Sequence, residues 1–470
     1  MLFSSFDFLV FFPIVTLAYF LLPEKFRNTW LLLSSCFFYM FLIPYYIIIL
    51  LGTISTDFIA GKYIYKENNP NRKKQLLTLS LIINIGILFF FKYYNFFASE
   101  FAQLFGTQNT DDFLFQVVLP IGLSFHTFQS MSYTIEIYRG KCIPEKNYFR
   151  FMLFVMFYPQ LVAGPIERPQ NLLHQFNTPN RFYYDRVKSG LWLMLIGFFK
   201  KIVVADRLSL LVDSVYSNPN GFVGVPTLMA ILFFTIQIYC DFSGYTDIAR
   251  GAARVMGFEL MENFRLPYFS KSIGEFWSRW HISLSSWFKD YVYIPLGGNK
   301  VDRWKLMRNV FIVFLLSGLW HGANWTFIIW GAAHGSIVVI ERWTNFSKTS
   351  FSKYFGILYT FTLVSILWVF FRAENIAQAF EILSNAVHFP QTSLGVQFRG
   401  LGLNAMDLFL AGIFIALLFA HDFLVTKTNI FEWVQKRTTL LRWGIYYTLV
   451  IIVVFYSVND GAKNFIYFQF

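Results

Sequence analysis

"VFIVFLLSGLWHGANWTFIIWGAAHG", residues 310–335, contains no Lys, Arg, Asp or Glu. Two apolar runs, Val310–Trp320 and Trp325–Ile340, flank a short break that holds His321. A stretch this apolar belongs at lipid depth or inside a buried bundle. The whole chain decides between the two. Of its 470 residues 56% are hydrophobic, 21% are aromatic and only 14% are charged. The mean hydropathy is +0.48. A soluble protein of this size needs more charge to cover its surface. The composition therefore predicts an all-α polytopic membrane protein.

Ten further apolar runs support that class. They are Asp7–Leu22, Trp30–Leu51, Leu76–Phe97, Phe113–Tyr138, Phe149–Leu161, Leu191–Asp206, Pro226–Tyr239, Tyr354–Phe371, Met406–Ala420 and Trp443–Tyr456. A straight span needs about 20 residues, so the shorter runs read as re-entrant or partly buried, and about eleven spans are expected. The N-terminal stretch lacks a basic n-region and a small-residue cleavage site, so it is expected to stay as the first span. The loops "PEKFR" (23–27), "KYIYKENNPNRKK" (62–74) and "YRGKCIPEKNYFR" (138–150) are basic, whereas "GTQNTDD" (106–112) carries only acids. That alternation predicts an external N-terminus, with the basic loops, including residues 250–308, in the cytoplasm.

The formal charge of +12 follows from the same loops. No aromatic–basic stripe suggests nucleic acid, so none is expected as a partner. Cys36, Cys142 and Cys240 form no disulfide or zinc pattern. No paired, interrupted segments of the kind seen in many transporters stand out. Phosphate-loop, nucleophile-elbow and H-E-x-x-H motifs are missing, which excludes the usual ATP-driven pump, serine hydrolase and zinc protease readings.

Four polar features interrupt the apolar pattern. Residues 275–300, "EFWSRWHISLSSWFKDYVYIPLGGNK", place Trp277, Trp280, Leu284, Trp287, Phe288 and Tyr291 on one helical stripe. The segment is too polar to span and reads as one interfacial helix ended by Pro295 and "GGN". His281 shares that stripe, and a packing role competes with a functional one. His321 is sharper, because an ionisable group at lipid depth usually faces a cavity or pathway. Gly318 and Gly322 leave room beside it for a backbone or a substrate, and Asn324 falls on its face if the helix continues. A polar helix–helix contact is the competing reading. Third, "IQIYCDFSGYTDIARG" (236–251) brings Gln237, Asp241 and Asp247 to the end of an apolar run. These residues line a polar path, hold the basic residues of the next loop, or simply cap a hydrated helix end. Fourth, "YPQLVAGPIERP" (158–169) reads as a bent or re-entrant segment. His126 and His334 read as packing groups, and His174, His388 and His421 carry no motif. A histidine with no neighbouring nucleophile suits a base acting on a substrate hydroxyl.

Together these motifs carry a family resemblance. "FWSRWHISLSSWFKDYVYIPLGGNK" followed by "LWHGANWTFIIWGAAHG" resembles the membrane-bound O-acyltransferase (MBOAT) family, most closely its bacterial alginate O-acetyltransferase branch. "QIYCDFSGYTDIARG", "LVAGPIERP", "FFRAENIAQAF" and "FIYFQF" are similar to that branch as well, so the resemblance covers nearly the whole chain. Lys289 departs from it, standing where arginine is expected, which removes a planar fork.

The resemblance implies one membrane domain over residues 1–470. N-terminal spans fill 1–140, a core at 141–345 holds both motif histidines, and C-terminal spans fill 346–470, around a central funnel or conduit. It implies that His321 is the catalytic base and His281 the second motif histidine. Asn324, Trp280, Arg279, Lys289, Asp241, Asp247 and Gln237 are the candidates for substrate contact, with Arg279 and Lys289 near donor phosphates. No metal and no bound cofactor are expected. Acetyl-CoA is the implied donor and an extracytoplasmic polysaccharide the acceptor, reached directly or through a secreted or periplasmic hydrolase-like protein. The location implied is the bacterial cytoplasmic membrane, among its lipids. Two rival readings are a transporter or flippase without chemistry, and a lipid or D-alanyl acyltransferase.

Overall fold

The computed structural model describes all residues except 42, 106–113, 116–118, 179, 392–394, 396–397, 399–400, 402–403, 457–464 and 467–470. The acidic loop 106–112 and most of the final "FIYFQF" lie outside the described residues. Every regular element among the described residues is helical, as the composition predicts. The chain falls into two compact units. One comprises Met1–Leu191 with Ala249–Met261, and the other Trp192–Ile248 with Glu262–Phe470.

The first unit contains α1 (Phe6–Leu21), α2 (Glu24–Met40), α3 (Ile47–Lys66), α4 (Pro70–Lys92), α5 (Tyr94–Leu104), α6 (Leu123–Tyr138), α7 (Tyr148–Met156), α8 (Tyr158–Leu161) and α9 (Pro169–Leu172). Helix α10 (Tyr184–Phe198) leads from this unit into the second. A carboxylate inside an apolar bundle persists only if every lone pair finds a donor. Asp57 of α3 meets that condition. It is fully buried and accepts from Ser80 Oγ at 2.5 Å, Asn84 Nδ2 at 2.9 Å and Ser130 Oγ. One side chain thereby ties α3 to α4 and α6. The segment 158–169 bends as its prolines and glycine predict. A Cβ at Gly164 would lie 2.3 Å from the Gln160 Cα, so only glycine fits this reversal. The bend delivers Glu167, fully buried, to accept the Met261 backbone N–H at 2.5 Å.

After the end of α10, the second unit has a π-helical turn, Phe199–Ala205, then α11 (Asp206–Ser217) and α12 (Val225–Met256), whose residues from Ala249 onward count with the first unit. Next come α13 (Ile273–Arg279), α14 (Ile282–Phe288), α15 (Arg303–His321), α16 (Trp325–Trp343), α17 (Ser350–Arg372) and α18 (Ile376–Val387). It closes with α19 (Ala405–Val425), α20 (Ile430–Gln435) and α21 (Thr439–Phe455). Five helical stretches among the described residues are long and apolar enough to cross a membrane: Pro44–Lys66, Pro70–Lys92, Val225–Met256, Ser350–Arg372 and Ala405–Val425. Two shorter apolar helices, α1 and α21, accompany them.

Two expectations about helix boundaries are corrected. The polar cluster 236–251 does not end a helix, because α12 continues through it for 32 residues. Its acids are neutralised from the preceding π-turn, not from the following loop, so nothing forces the helix to stop in water. The interfacial stripe 275–294 is not one helix either. It breaks at Trp280, which is extended (φ −102°, ψ 130°), and at His281, which is left-handed (φ 45°, ψ 54°). The cause is a stronger set of hydrogen bonds to residues 263–265. Ile282 N–H donates to the Asn263 carbonyl at 2.9 Å, and Arg265 N–H donates to the Arg279 carbonyl at 2.9 Å. Asn263 Oδ1 also accepts from the backbone N–H and the hydroxyl of Ser283, at 3.1 and 2.9 Å. These bonds satisfy the groups that a continuous helix would have used.

Helices α15 and α16 cross closely, and glycine makes the crossing possible. A Cβ at Gly318 would lie 2.3 Å from the Phe327 carbonyl oxygen, and one at Gly331 would lie 2.5 Å from the Phe314 carbonyl oxygen. The space beside His321 is thus taken by the neighbouring helix, the small-residue contact that competed with the substrate reading. Gly318→Ala is expected to cost about 1–3 kcal/mol by overpacking. The check is a lowered midpoint of thermal unfolding in detergent; an unchanged midpoint contradicts this close crossing.

Candidate functional site

The residues singled out by sequence gather in the second unit. His321 is the last residue of α15, and Gly322 closes the helix by donating its N–H to the Gly318 carbonyl. The imidazole is walled by aromatic edges. Trp320, Trp330 and Phe371 meet it nearly perpendicularly, with centroids at 5.0, 5.1 and 5.2 Å. Trp368 stacks behind Trp330 at 5.8 Å and also meets Phe371 at 5.1 Å. A wall of this kind excludes water and lowers the local dielectric, which strengthens any charge interaction formed inside it. His321 keeps 4% of its surface exposed, whereas His281 and His334 keep none. That small exposure does not extend to the His321 ring nitrogens, both of which are buried.

His281 sits at the break between α13 and α14. Its Nδ1 lies 3.3 Å from Asn263 Oδ1, and its ring meets the Phe242 edge at 4.7 Å. Burial pushes the His281 imidazole down to about 3, so it stays neutral at physiological pH. The Trp320 indole touches both imidazoles, His321 at 5.0 Å and His281 at 6.1 Å. The two motif histidines thus share one aromatic neighbour, a link that their forty-residue separation in sequence gives no sign of.

The other predicted contacts divide into two groups. Trp280 joins the aromatic wall, fully buried, 5.1 Å from Trp368. Asp241 receives the Lys201 ammonium at 2.6 Å, and Lys201 also pairs with Asp206 at 2.8 Å. Asp247 pairs with Lys200 at 2.8 Å. Gln237 lies buried one turn before Asp241 on α12. Like the two acids and Gln237, three further residues lie outside the histidines' aromatic contacts. Arg279 pairs with Glu275 at 2.5 Å and Lys289 is exposed on a π-turn. Asn324 is not on the His321 helix, which has ended. Its Oδ1 caps α16 by accepting the Thr326 N–H at 3.0 Å, and its Nδ2 donates to the Glu374 carbonyl at 2.7 Å.

Several more side chains of this unit are hard to single out from sequence. Trp330, Trp368 and Phe371 were indistinguishable from ordinary apolar core. Lys200 and Lys201 were hidden inside an apolar run, where adjacent lysines are costly enough to be a usable signal. His334, read as packing, does pack, and it also accepts the Trp277 indole N–H on Nδ1 at 3.2 Å. Among the described residues no three His, Cys, Asp or Glu side chains are grouped to hold a metal ion.

The family model of the membrane-bound O-acyltransferases matches residues 73–377. The chain is 36% identical to the probable alginate O-acetylase AlgI of Pseudomonas putida, over the full length of both chains. It is 35% identical to the peptidoglycan O-acetyltransferase of Helicobacter pylori, over 82% of this chain and 79% of that one. It is 29% identical to the teichoic acid D-alanyltransferase of Streptococcus thermophilus, over 57% of this chain and 69% of that one. A matched family profile, full-length relatives and an apolar helical architecture converge: the chain belongs to the membrane-bound O-acyltransferase family and is a membrane O-acyltransferase of the alginate O-acetylase type.

Proposed function

We propose that the protein moves acetyl from cytoplasmic acetyl-CoA to hydroxyl groups of an extracytoplasmic polysaccharide, in the cytoplasmic membrane of a bacterium. The acceptor is reached directly or through a secreted hydrolase-like protein that carries the acetyl ester. His321 acts as the base. Its neutral ring takes the acceptor hydroxyl proton as the oxygen attacks the thioester carbonyl. The acceptor O–H and the C–S bond break, an ester C–O bond forms, and the proton passes on to the departing CoA thiolate. Holding both reactants in one dry enclosure adds proximity to base catalysis.

The observation that carries this reading is the placement of His321: at a helix end, inside aromatic walls, sharing the Trp320 indole with the second motif histidine. Similarity to acetylating relatives over the full chain length supports the choice of group transferred. The test uses purified protein, acetyl-labelled acetyl-CoA and an oligosaccharide acceptor. The expected result is loss of thioester with the label appearing as alkali-labile ester. Transport of intact acetyl-CoA or glycan, with no thioester cleaved, overturns the proposal and establishes the transporter reading.

A further inference from the structure

The start of α13 and the start of α17 face each other across a cleft of about 350 Å³. Lys271, Lys348 and Lys353 line it, with Thr349 and Ser350 beside them. All three lysines are exposed, and none is ion-paired among the described residues. Lys353 rests its ammonium over the Tyr354 ring at 5.3 Å, which leaves its charge uncancelled. One acid lines the cleft, Glu275, and it is already engaged. It pairs with Arg279 at 2.5 Å and accepts the Lys271 backbone N–H at 2.8 Å. A concave surface carrying three uncompensated ammonium groups and flanking hydroxyls is suited to a phosphate ester.

The walls of this cleft are fixed to each other. The Lys271 carbonyl accepts from Ser352 Oγ at 3.2 Å. A Cβ at Gly356 would lie 2.5 Å from that same carbonyl oxygen, so glycine lets the Lys271 backbone seat against α17. The cleft is also tied to the histidine site through α16. Glu341, near the end of α16, accepts the backbone N–H groups of Ile273 and Gly274 at 2.8 and 3.0 Å. Trp330, near its start, meets His321. From Trp330 to Glu341 is about 16 Å along the helix axis. An extended pantetheine arm has a reach of this order. Helix α13 runs between the two places, with Glu275 lining the cleft and Trp277 against Trp330 at 5.4 Å.

We propose that this cleft holds the phosphate end of the acyl donor, leaving the thioester end to reach His321; the inference rests on the acetyl-CoA reading above. Phospholipid headgroups present the same phosphate chemistry, so the test separates the two sources. Wild-type protein and the K271Q/K348Q/K353Q variant are placed in nanodiscs of phosphatidylcholine, alone or with phosphatidylglycerol. CoA binding is measured by calorimetry, and turnover with acetyl-CoA and with acetyl-pantetheine, which has no phosphate.

In phosphatidylcholine the variant is expected to bind CoA about tenfold more weakly and to show a KM for acetyl-CoA raised about tenfold, with kcat unchanged. Its KM for acetyl-pantetheine should equal that of wild type. A K271R/K348R/K353R variant, which keeps the charge, should restore CoA affinity. Equal CoA affinity in wild type and the glutamine variant overturns the inference, and so does an equal loss with acetyl-pantetheine. A difference confined to discs with phosphatidylglycerol assigns the lysines to lipid and also overturns it. If wild type binds CoA through these lysines yet leaves acetyl-CoA intact, the cleft stands and the donor reading falls. If wild type binds no CoA, both fall.

Discussion

His321→Ala is expected to lower kcat for acetyl transfer by about 10²–10⁴-fold, the range that a positioned general base contributes. The surroundings of the ring are aromatic edges that offer no substitute base. The loss should fall on kcat, with KM for the donor little changed, because the proton is taken only as the bond forms. Removing the ring also opens a small hole among Trp320, Trp330 and Phe371, so folding must be measured alongside. A thermal midpoint close to wild type, together with lost turnover, supports the base assignment. Undiminished acetylation by a normally expressed His321→Ala protein sinks it. His321→Gln separates the roles further, since it fills the space without a usable base and should be as inactive as alanine.

The second large effect is on stability. Lys201→Met is expected to destabilise the protein by about 3–5 kcal/mol, the cost of stranding a buried charge. Lys201 lies on the π-turn with 2% exposure, holding Asp241 at 2.6 Å and Asp206 at 2.8 Å. Asp241 also accepts the backbone N–H of Ile466 at 2.7 Å, so the same carboxylate anchors the chain near its end. Methionine fills the lysine's volume but leaves two acids facing each other in a dry interior. Expression should drop, and the remaining protein should elute as aggregate in size-exclusion chromatography. Lys201→Met combined with Asp241→Asn should recover part of the loss, because one stranded charge is removed. A single variant as stable as wild type contradicts the assignment of this triad.

What the sequence disclosed depended on how local each signal was. Apolar runs and charged loops are local, and they announced a helical membrane protein correctly. Prolines and glycine act on their own neighbours, so the bend at 158–169 was readable too. Helix continuity was not. The stripe at 275–294 has the right period, yet Asn263, a dozen residues upstream, supplies the acceptors that open it at His281. The run 226–239 seemed to stop at Asp241 because the compensating lysines lie some forty residues earlier. In both places a distant partner overrode a correct local rule. The aromatic wall was invisible for another reason. With 60 Phe, 26 Tyr and 13 Trp in the chain, no single Trp or Phe stands out until the fold has brought three of them to one ring.

The bond from Asn324 to the Glu374 carbonyl has a mechanical consequence. Three residues before Glu374, on the last turn of α17, Phe371 forms one side of the imidazole's enclosure. The chain just past α17 therefore grips the elbow after His321 while the helix itself leans on the ring. If α17 tilts as bilayer thickness changes, the elbow and the leaning face travel as a pair. The imidazole is carried along with its surroundings, so its alignment is insulated from such changes in the bilayer.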